Sequence, residues 1–467
     1  MKNNNKLIKT LVIVLGVLIT VLISLMLVMA TRGGTSSNTT SQVVGADATL
    51  DQETTEAVTE LATQTVNVEE VNTISLGVTG DVLIHSPILT GAYDSTTDTY
   101  DFSSLFSKTT NYIANCDYFV ANLEVTLGGT DDGKEYSTYP LFNTPDALAY
   151  DLYDAGIDML LTSNNHCYDS GYSGIIRTQT VLETAGLDYT GTQLEADDDI
   201  YTVVDIDGVQ VGMLCYTYET DEVVAGNTYI NGLLVSEEGE EVINSFSYYD
   251  LDTFYAEVKT ALEDMEADGA MASVVYLHWG DEYSLEENSY QNTIAQKLCD
   301  LGVDVIVGGH PHVVQPMELV TSTDGTHSTV VAYSLGNAVS NQRRAYMDLQ
   351  TGHTEDGMFL KLSFTEYNDG TALLTSVEVT PTWVDMYYEG SNAVYNVIAL
   401  GEVADESNSI TATSTSSSLS ESYDRTMAIV GEGLDDCNEF LTSRAAEKLT
   451  ETFELESEIV VGEEIAA

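Results

Sequence analysis

Basic residues are scarce in this chain. Its 467 residues include 15 lysines and arginines against 75 aspartates and glutamates, which gives a formal net charge of −60. So acidic a surface repels phosphate backbones and anionic lipid headgroups, and the bulk of the chain is therefore not expected to bind nucleic acid. Most of these carboxylates are expected to keep the protein soluble, and divalent cations are the ligands that they favour.

Cysteine is also sparse, and its placement argues against two kinds of stabilising site. The five cysteines are odd in number and scattered, and none of them has the CxxC spacing of a structural zinc site. Because most of them lie inside apolar segments, they are predicted to be small core residues rather than disulfide partners. They are Cys116, Cys167, Cys215, Cys299 and Cys437.

A long apolar run near the N-terminus predicts a membrane anchor. The run LVIVLGVLITVLISLMLVMA, residues 11–30, contains no charge and no proline. At about 1.5 Å of rise per residue, a helix of this length crosses the roughly 30 Å core of a bilayer. A cleaved signal peptide is the competing interpretation, but its apolar region is typically shorter. Because lysines precede the run, residues 1–10 are predicted to be cytoplasmic, residues 11–30 a single-pass signal anchor in the cell membrane, and the main domain extracellular.

The composition changes twice after this run. Residues 31–72 are rich in Ser, Thr and Glu and short of aromatics, which predicts a flexible stalk. Residues 73–384 alternate apolar, β-branched runs with longer mixed segments, as an α/β domain does. In this domain, helices are predicted at Asp250–Ala270 and Asn288–Gly302. Residues 385–467 are acidic and Ser/Thr-rich, with one helix predicted near Tyr423–Phe453.

Polar residues follow the strand-like runs of the α/β domain. Five of the seven histidines lie at or just after the ends of such runs, together with acids and amides. In open α/β sheets, ligands bind outside the carboxyl ends of the strands, so these side chains are expected to meet at one edge. A metal site is therefore predicted there. The strand-end residues are Asp81, Glu124, His166, His278, His312 and Asn337.

The residue types at these strand ends indicate which ions the site binds. Imidazole and carboxylate ligands suit divalent zinc, manganese or iron, and a carboxylate reached from two sides can bridge two ions. Such a pair lowers the pKa of a shared water and clamps the attacking and leaving oxygens of a phosphoryl displacement. The spacing of His310 and His312 lets both side chains of one tight turn reach the cluster. Gly308 and Gly309 allow the backbone to approach closely.

Six motifs carry a resemblance to a known family. In order and approximate spacing, the chain resembles the CapA family of bacterial poly-γ-glutamate capsule biosynthesis proteins, over roughly residues 73–340. The resemblance implies a four-layer α/β/β/α fold similar to calcineurin-like metallophosphoesterases, held outside the membrane by one N-terminal transmembrane helix. The motifs are GVTGDVLIH, ANLEVTLGG, SNNHCYDSG, LHWGDEY, GGHPHVVQP and AYSLGN.

The same resemblance implies roles for the motif residues. Asp81 matches the metal ligand after the first strand, and Glu124 matches the carboxylate that bridges two ions. Asn165 matches the amide ligand, and the adjacent His166 matches the histidine that contacts a substrate oxygen or protonates the leaving group. The implied ligand set is completed by His278, His310 and His312.

Four further residues have open roles. His85 is a weaker ligand candidate because it lies four residues after Asp81, where phosphoesterases usually have the histidine two residues after the aspartate. Glu282 is a candidate for contacting ligands or substrate, with a solvated loop acid as the alternative. Asn337 belongs to SLGN, which is followed here by alanine instead of the usual aromatic. For Asp169, a cap on the following helix is favoured over a role in orienting His166.

Two classes of function remain open from the sequence. The chain is either a metal-dependent hydrolase acting on a phosphoester or on an amide-linked glutamate polymer, or a non-hydrolytic component of poly-γ-glutamate synthesis, export or attachment. The resemblance favours the capsule role, with poly-γ-glutamate and a membrane complex for capsule synthesis as partners. A metal-dependent phosphoesterase acting on an extracellular phosphoester unrelated to capsule is the alternative.

Overall fold

The structure is a computed structural model and describes residues 58–220, 226–401 and 416–461. The expected cytoplasmic segment 1–10, the expected membrane anchor 11–30 and most of the expected stalk 31–72 lie outside the described residues. Within those ranges, no helix combines the length and the apolar character that crossing a membrane requires.

The strands alternate with helices along most of the chain. In chain order the strands are β1 Val58–Asn67, β2 Glu70–Val82, β3 Tyr93–Asp94, β4 Thr99–Tyr100, β5 Tyr118–Leu123, β6 Met159–Leu161, β7 Asp188–Thr190, β8 Tyr201–Ile206, β9 Val209–Tyr218, β10 Tyr229–Ile230, β11 Leu233–Leu234, β12 Ser245–Phe246, β13 Ala272–His278, β14 Val305–Gly309, β15 Met317–Thr321, β16 Ser328–Ala332, β17 Asn337–Val339, β18 Asp356–Tyr367, β19 Ala372–Glu389, β20 Asn392–Ala399 and β21 Thr452–Val461.

The helices differ widely in length. In chain order they are α1 Ser86–Ala92, α2 Thr110–Ile113, α3 Ala147–Asp154, α4 Tyr172–Ala185, α5 Glu237–Glu240, α6 Leu251–Ala267, α7 Ser289–Asp300 and α8 Ser416–Lys448. Short 3-10 turns occur at Asp131–Gly133 and His353–Glu355.

Two large mixed sheets form the framework. The first sheet has the order β20-β19-β18-β2-β5-β6-β7, with β17 also paired to β2. Its β2, β5, β6 and β7 run parallel, whereas β18, β19 and β20 are antiparallel to their neighbours. The second sheet has the order β12-β9-β13-β14-β16-β15, with β8 also paired to β9. Parallel β9, β13, β14 and β16 form its centre, so in both sheets the central strands end at a common edge.

The sheets pack face to face with helices on their outer faces. One buried cluster joins Leu76 and Val78 of β2 to Met213 of β9 and Val274 of β13. Two further clusters pack α1 to α4 on the first sheet, and α6 and α7 on the second. Because successive strand residues point to opposite faces, Val274 enters the central core while the adjacent Val275 packs under the helices. The result is the α/β/β/α order of layers that the resemblance implied.

The predictions for the two internal helices are confirmed. Helix α6 begins after Asp250, whose side chain accepts a hydrogen bond from Thr253 N at 3.4 Å. Helix α7 begins after Asn288 with a full capping box, in which the Asn288 side chain accepts from Gln291 N and the Gln291 side chain accepts from Asn288 N. Both caps satisfy backbone donors that a first helical turn leaves unpaired.

The α/β framework continues beyond the boundary that composition indicated. Strand β19 runs through residues 384 and 385, and β20 forms the edge of the first sheet after it. Helix α8 covers most of the segment predicted to be helical and packs on β19 and β15, so Val430, Cys437 and Leu441 lie in the core between the sheets. The sequence predicted the helix but not its burial, because one apolar stripe within a polar composition is enough to pack a helix on the core. The cysteines are unpaired, and all except the half-buried Cys116 are buried, as predicted.

Candidate metal centre

The carboxyl ends of the central strands deliver the predicted site residues to one buried position. Asp81 lies near the end of β2, Glu124 directly after β5, His278 at the end of β13 and His310 directly after β14. These four side chains belong to both sheets, and each is nearly inaccessible to solvent. The site therefore lies where the carboxyl edges of the two sheets meet.

The turn after β14 has an unusual backbone that brings its two histidines inward. His310 and His312 have φ values of 96° and 56°, a left-handed region that bulky residues rarely adopt. A Cβ on Gly309 would lie 2.8 Å from Asp81 Oδ1, and one on Gly308 would lie 1.9 Å from Tyr333 O. Glycine therefore allows the backbone to pass close to Asp81 at position 309 and close to the backbone of Tyr333 at position 308, the close approach that the sequence indicated.

Two groups of side chains are arranged to hold a cation. The first consists of Glu124, His278 and His310, and the second of Asp81, Glu124 and His312. In each group, one ligand atom per residue lies within 4.8 Å of the others. Glu124 Oε1 lies 3.5 Å from His278 Nε2 and 3.8 Å from His312 Nε2, so Glu124 stands between the two groups.

Asp81 anchors the second group through hydrogen bonds. Its Oδ2 accepts from His312 Nδ1 at 3.2 Å and from the backbone N of His310 at 3.3 Å. Its Oδ1 accepts from Asn122 Nδ2 at 2.8 Å. Burial alone would raise the pKa of Asp81, but the His312 hydrogen bond and the charges of His278 and His312 hold that pKa below its ordinary value.

The other buried groups are electrostatically unfavourable without a cation. Burial, and after it repulsion from Asp81, raises the pKa of Glu124 well above its ordinary value. Burial lowers the pKa of His278 to about 3, and it holds the pKa of His310 well below 6.5. The two histidines are consequently neutral at pH 7 and keep lone pairs available for a metal.

Divalent metal ions fit this set of donors. Both carboxylate oxygens of Glu124 and the Nδ1 of His310 are buried without any hydrogen-bond partner. Leaving such atoms unpaired is costly, and a cation would satisfy all of them. Imidazole and carboxylate ligands at adjoining positions around one shared carboxylate suit transition metals.

Asn165 and His166 lie beside these groups, as their motif predicted. Asn165 Oδ1 lies 2.8 Å from His278 Nε2, so a cation at that nitrogen would have the amide oxygen within reach. His166 is buried and packs edge-on against Phe142, with ring centroids 4.7 Å apart. It also lies close enough to His278 and His310 to contribute to their lowered pKa values.

The preferred role for Asp169 was wrong. Helix α4 begins after Gly171, and no side chain caps it. Asp169 Oδ2 instead accepts from His166 Nδ1 at 2.7 Å and from the backbone N of Phe142 at 2.6 Å. The chain turns back between residues 166 and 169, so the carboxylate faces the histidine and not the helix. Asp169 therefore orients His166.

The three weaker candidates are placed differently. His85 is half-buried, and it accepts a hydrogen bond at Nδ1 from Asn341 N at 3.3 Å; burial lowers its pKa to about 4. It belongs to neither ligand group. Glu282 is exposed, yet its charge contributes to the raised pKa of Glu124. Asn337 is buried and donates to His312 O at 3.2 Å, so it supports the turn that carries the histidines.

Sequence reasoning missed two asparagines that position ligands. Asn122 Nδ2 lies 2.8 Å from Asp81 Oδ1 and 3.4 Å from His278 Nδ1, and thus links residues of both sheets. Asn164 Nδ2 donates to Asn122 Oδ1 at 3.1 Å and to Leu123 O at 2.8 Å. Both residues stand in motifs that were recognised, NLE and SNNH, so the available signal was their position beside a predicted ligand.

Comparisons with known proteins agree on one family. Residues 75–342 match the model of the bacterial capsule synthesis protein family PGA_cap. The capsule biosynthesis protein CapA of Bacillus anthracis is 29% identical over 252 residues, which are 52% of this chain and 55% of that protein. The PGA biosynthesis protein CapA of Bacillus subtilis strain 168 is 25% identical over 272 residues, which are 58% of this chain and 64% of that protein. The matched regions thus cover less than two thirds of each relative's length.

A solved structure has a distant likeness to the chain. The calcineurin-like phosphoesterase YfkN from Bacillus subtilis is 13% identical, with a TM-score of 0.35, covering 79% of this chain and 99% of that chain.

Proposed function

Because this chain belongs to the bacterial capsule synthesis protein family PGA_cap, we propose that it is a membrane-anchored, extracytoplasmic protein of poly-γ-glutamate capsule synthesis, export or attachment, with a two-ion metal site. The names of its two curated relatives, capsule biosynthesis protein and PGA biosynthesis protein, support the capsule role. The polymer and its membrane complex are the proposed partners.

The observation that carries the proposed site is the position of Glu124. Its carboxylate belongs to both ligand groups, and neither of its buried oxygens has a hydrogen-bond partner. A carboxylate in that position can bridge two ions, with His278, His310 and Asn165 around one and Asp81 and His312 around the other. Mn, Zn and Fe are the proposed metals because these ions accept mixed nitrogen and oxygen ligands.

The side chains around the proposed ions suit hydrolysis. The ions, when bound, would supply the positive charge that polarises a phosphoryl or carbonyl oxygen. In its doubly protonated form, with Nδ1–H held by Asp169, His166 would donate its Nε2 proton to the leaving group and be left with Nδ1–H alone. The Phe142 ring packs edge-on against His166 and limits the access of water to it.

The location is proposed from the N-terminal sequence. The uncharged run at residues 11–30 follows Lys2, Lys6 and Lys9, a pattern that favours a cytoplasmic N-terminus and an extracellular main domain. Fusing alkaline phosphatase after residue 467 tests this topology. We expect phosphatase activity in intact cells and the fusion protein in their membrane fraction after lysis. An inactive fusion or a cytoplasmic one would contradict the proposed location.

A metal-dependent phosphoesterase acting on an extracellular phosphoester unrelated to capsule is the second candidate function. The specific observation in its favour is the His166–Asp169 pair, joined at 2.7 Å beside the ligand groups. A component that merely holds a polymer has no need for an oriented proton donor. The same pair would equally serve cleavage of the glutamate polymer.

Metal content and hydrolysis, measured together on the full-length chain, test these proposals. The wild type is compared with His310→Ala, His166→Ala and the control His353→Ala, whose histidine belongs to neither ligand group. Each variant is first checked for a cooperative melting transition. The substrates are a generic aryl phosphodiester and poly-γ-glutamate. Surface polymer is also measured in cells that lack the gene and express each variant.

The hydrolase mechanism predicts a specific pattern. The wild type and His353→Ala should bind about two ions and turn over a substrate, and His310→Ala should lose metal. His166→Ala should keep its metal but lose about 100-fold in turnover, the lower range for a general acid. Metal binding without turnover, combined with loss of surface polymer in His310→Ala cells, would support a non-hydrolytic capsule role. A folded wild type without any bound metal would refute the site.

A further inference from the structure

The hairpin of β10 and β11 reaches the candidate site although its sequence marks it only as a turn. Ile230 pairs with Leu233, and the two residues between them are Asn231 and Gly232. Both have positive φ, 51° and 69°, as a type I′ hairpin turn requires. Asn-Gly is the pair that this turn prefers, so turn formation alone would explain the presence of asparagine at position 231.

The hairpin is held against the loop that carries His166. Ile230 and Val235 are buried in one cluster with Cys167 and Tyr168, the residues that directly follow His166. Tyr168 Oη also accepts a hydrogen bond from Ser236 N at 3.0 Å. The tip of the hairpin is therefore fixed relative to His166 and Asp169, and its position is set by packing.

The side chain of Asn231 binds the carboxylate that orients His166. Asn231 Nδ2 lies 3.0 Å from Asp169 Oδ1 and 3.3 Å from Pro140 O, two acceptors that use both of its protons. It also lies 3.2 Å from His166 Nδ1, but that nitrogen gives its proton to Asp169 Oδ2. With Phe142 N on Oδ2 as well, the fully buried Asp169 carboxylate has hydrogen bonds at both oxygens.

We infer that Asn231 is a positioning residue, which locks Asp169 and through it holds His166 with its Nδ1 protonated and its Nε2 directed to catalysis. Without the amide, Oδ1 of a buried carboxylate would lose its donor, and Asp169 could rotate away from His166. The inference rests on the proposed hydrolytic function for its kinetic consequence. Its structural consequence, the state of the His166 Nδ1–H bond, can be measured without any activity.

The choice of variants separates positioning from turn formation. Asn231→Gly removes the amide but keeps a residue that adopts positive φ without strain. Asn231→Asp keeps a turn-forming residue but places a carboxylate beside Asp169. The matched control is Asp207→Gly in the β8–β9 hairpin, where Asp207 and Gly208 also have positive φ, 47° and 97°. That turn precedes β9, whose opposite end faces the site, roughly 30 Å away at 3.3 Å per residue.

The test uses the full-length protein with ¹⁵N-labelled histidine. The NMR signal of the His166 Nδ1–H proton is assigned by its loss in His166→Gln, and its exchange with water is measured in each variant. Metal content, KM and kcat on the aryl phosphodiester are measured on the same samples. We expect Asn231→Gly to speed Nδ1–H exchange and to lower kcat about tenfold, a part of the 10²-fold or more that a general acid supplies, with KM and metal content unchanged. Asn231→Asp should lower kcat further, and Asp207→Gly should match the wild type.

Two results would overturn the inference. One is an Nδ1–H exchange rate in Asn231→Gly equal to that of the wild type, whatever the kinetics. The other is a loss of metal or a rise in KM alongside the fall in kcat, since Asn231 would then support the whole site. If the wild type itself turns over no substrate, the proposed hydrolytic activity fails, and the exchange measurement alone decides the role of Asn231.

Discussion

Glu124 is the residue on which the two ligand groups depend. Its side chain is fully buried, stands between His278 and His312, and has no hydrogen-bond partner at either oxygen. The contribution of such a residue to the stability of the fold depends on whether metal is bound. Glu124 would hold a cation when one is bound, and it would destabilise the fold when the site is emptied.

Replacing Glu124 with the isosteric Gln should reveal both effects. We expect Glu124→Gln to weaken metal binding at least about tenfold, measured by equilibrium dialysis, because the shared negative charge is lost. In chelator the variant should melt at a higher temperature than the wild type. The pKa of Glu124 is raised above 4.5 in the folded state, so above that pH the unfolded chain releases a proton that the folded chain retains, and wild-type stability falls as the pH rises.

Asp81→Asn provides the control of opposite sign. The folded-state pKa of Asp81 is lowered from 3.8, so its charge stabilises the fold above that pH. In chelator at pH 7, this variant should melt below the wild type, while Glu124→Gln melts above it. A metal-free Glu124→Gln protein that melts below the wild type at pH 7 would mean that Glu124 already has a stabilising partner in the protein. The proposal that its carboxylate needs a bound cation would then be wrong.

At the scale of elements, helix α8 is part of the folded core. Leu441 is 1% exposed and packs between the sheets, whereas Leu449, just beyond the helix, is 43% exposed. We expect Leu441→Ala to lower the free energy of unfolding by about 2–5 kcal/mol, the range for buried leucines, in a urea titration. Leu449→Ala should change it by less than about 0.5 kcal/mol. Equal effects of the two changes would show that α8 is not docked on the sheets.

At the scale of the whole molecule, the charge of −60 repels itself in the compact state. Raising the ionic strength from about 0.01 M to 0.15 M shortens the screening length from about 30 Å to about 8 Å. The melting temperature in chelator should therefore rise with sodium chloride. Tetramethylammonium chloride at equal ionic strength should give the same rise if screening is the cause. An effect of sodium alone would indicate bound cations instead.

Much of the site could be predicted because its ligands are strongly marked in the sequence. Each predicted ligand lies at or shortly after the end of a buried strand, and parallel strands bring their ends to one edge. The predicted ligands are Asp81, Glu124, Asn165, His278, His310 and His312. The role of Asp169 could not be predicted, because an aspartate at this position in the sequence is equally suited to capping the following helix and to accepting a hydrogen bond from His166. Asn231 was hidden because its Asn-Gly signal explains the turn and carries no information about what the tip contacts.

The sequence by itself determined the acidic character, the unpaired cysteines, the alternation of strand-like runs with longer mixed segments, and the residue types able to hold a metal. These properties depend on composition and on local periodicity, which can be followed along a chain. Only the tertiary structure decided that Glu124 is shared between two groups, that α8 enters the core, and that a hairpin 65 residues from His166 approaches its ring. Such contacts join residues far apart in the chain, and they are set by packing, which no local pattern encodes.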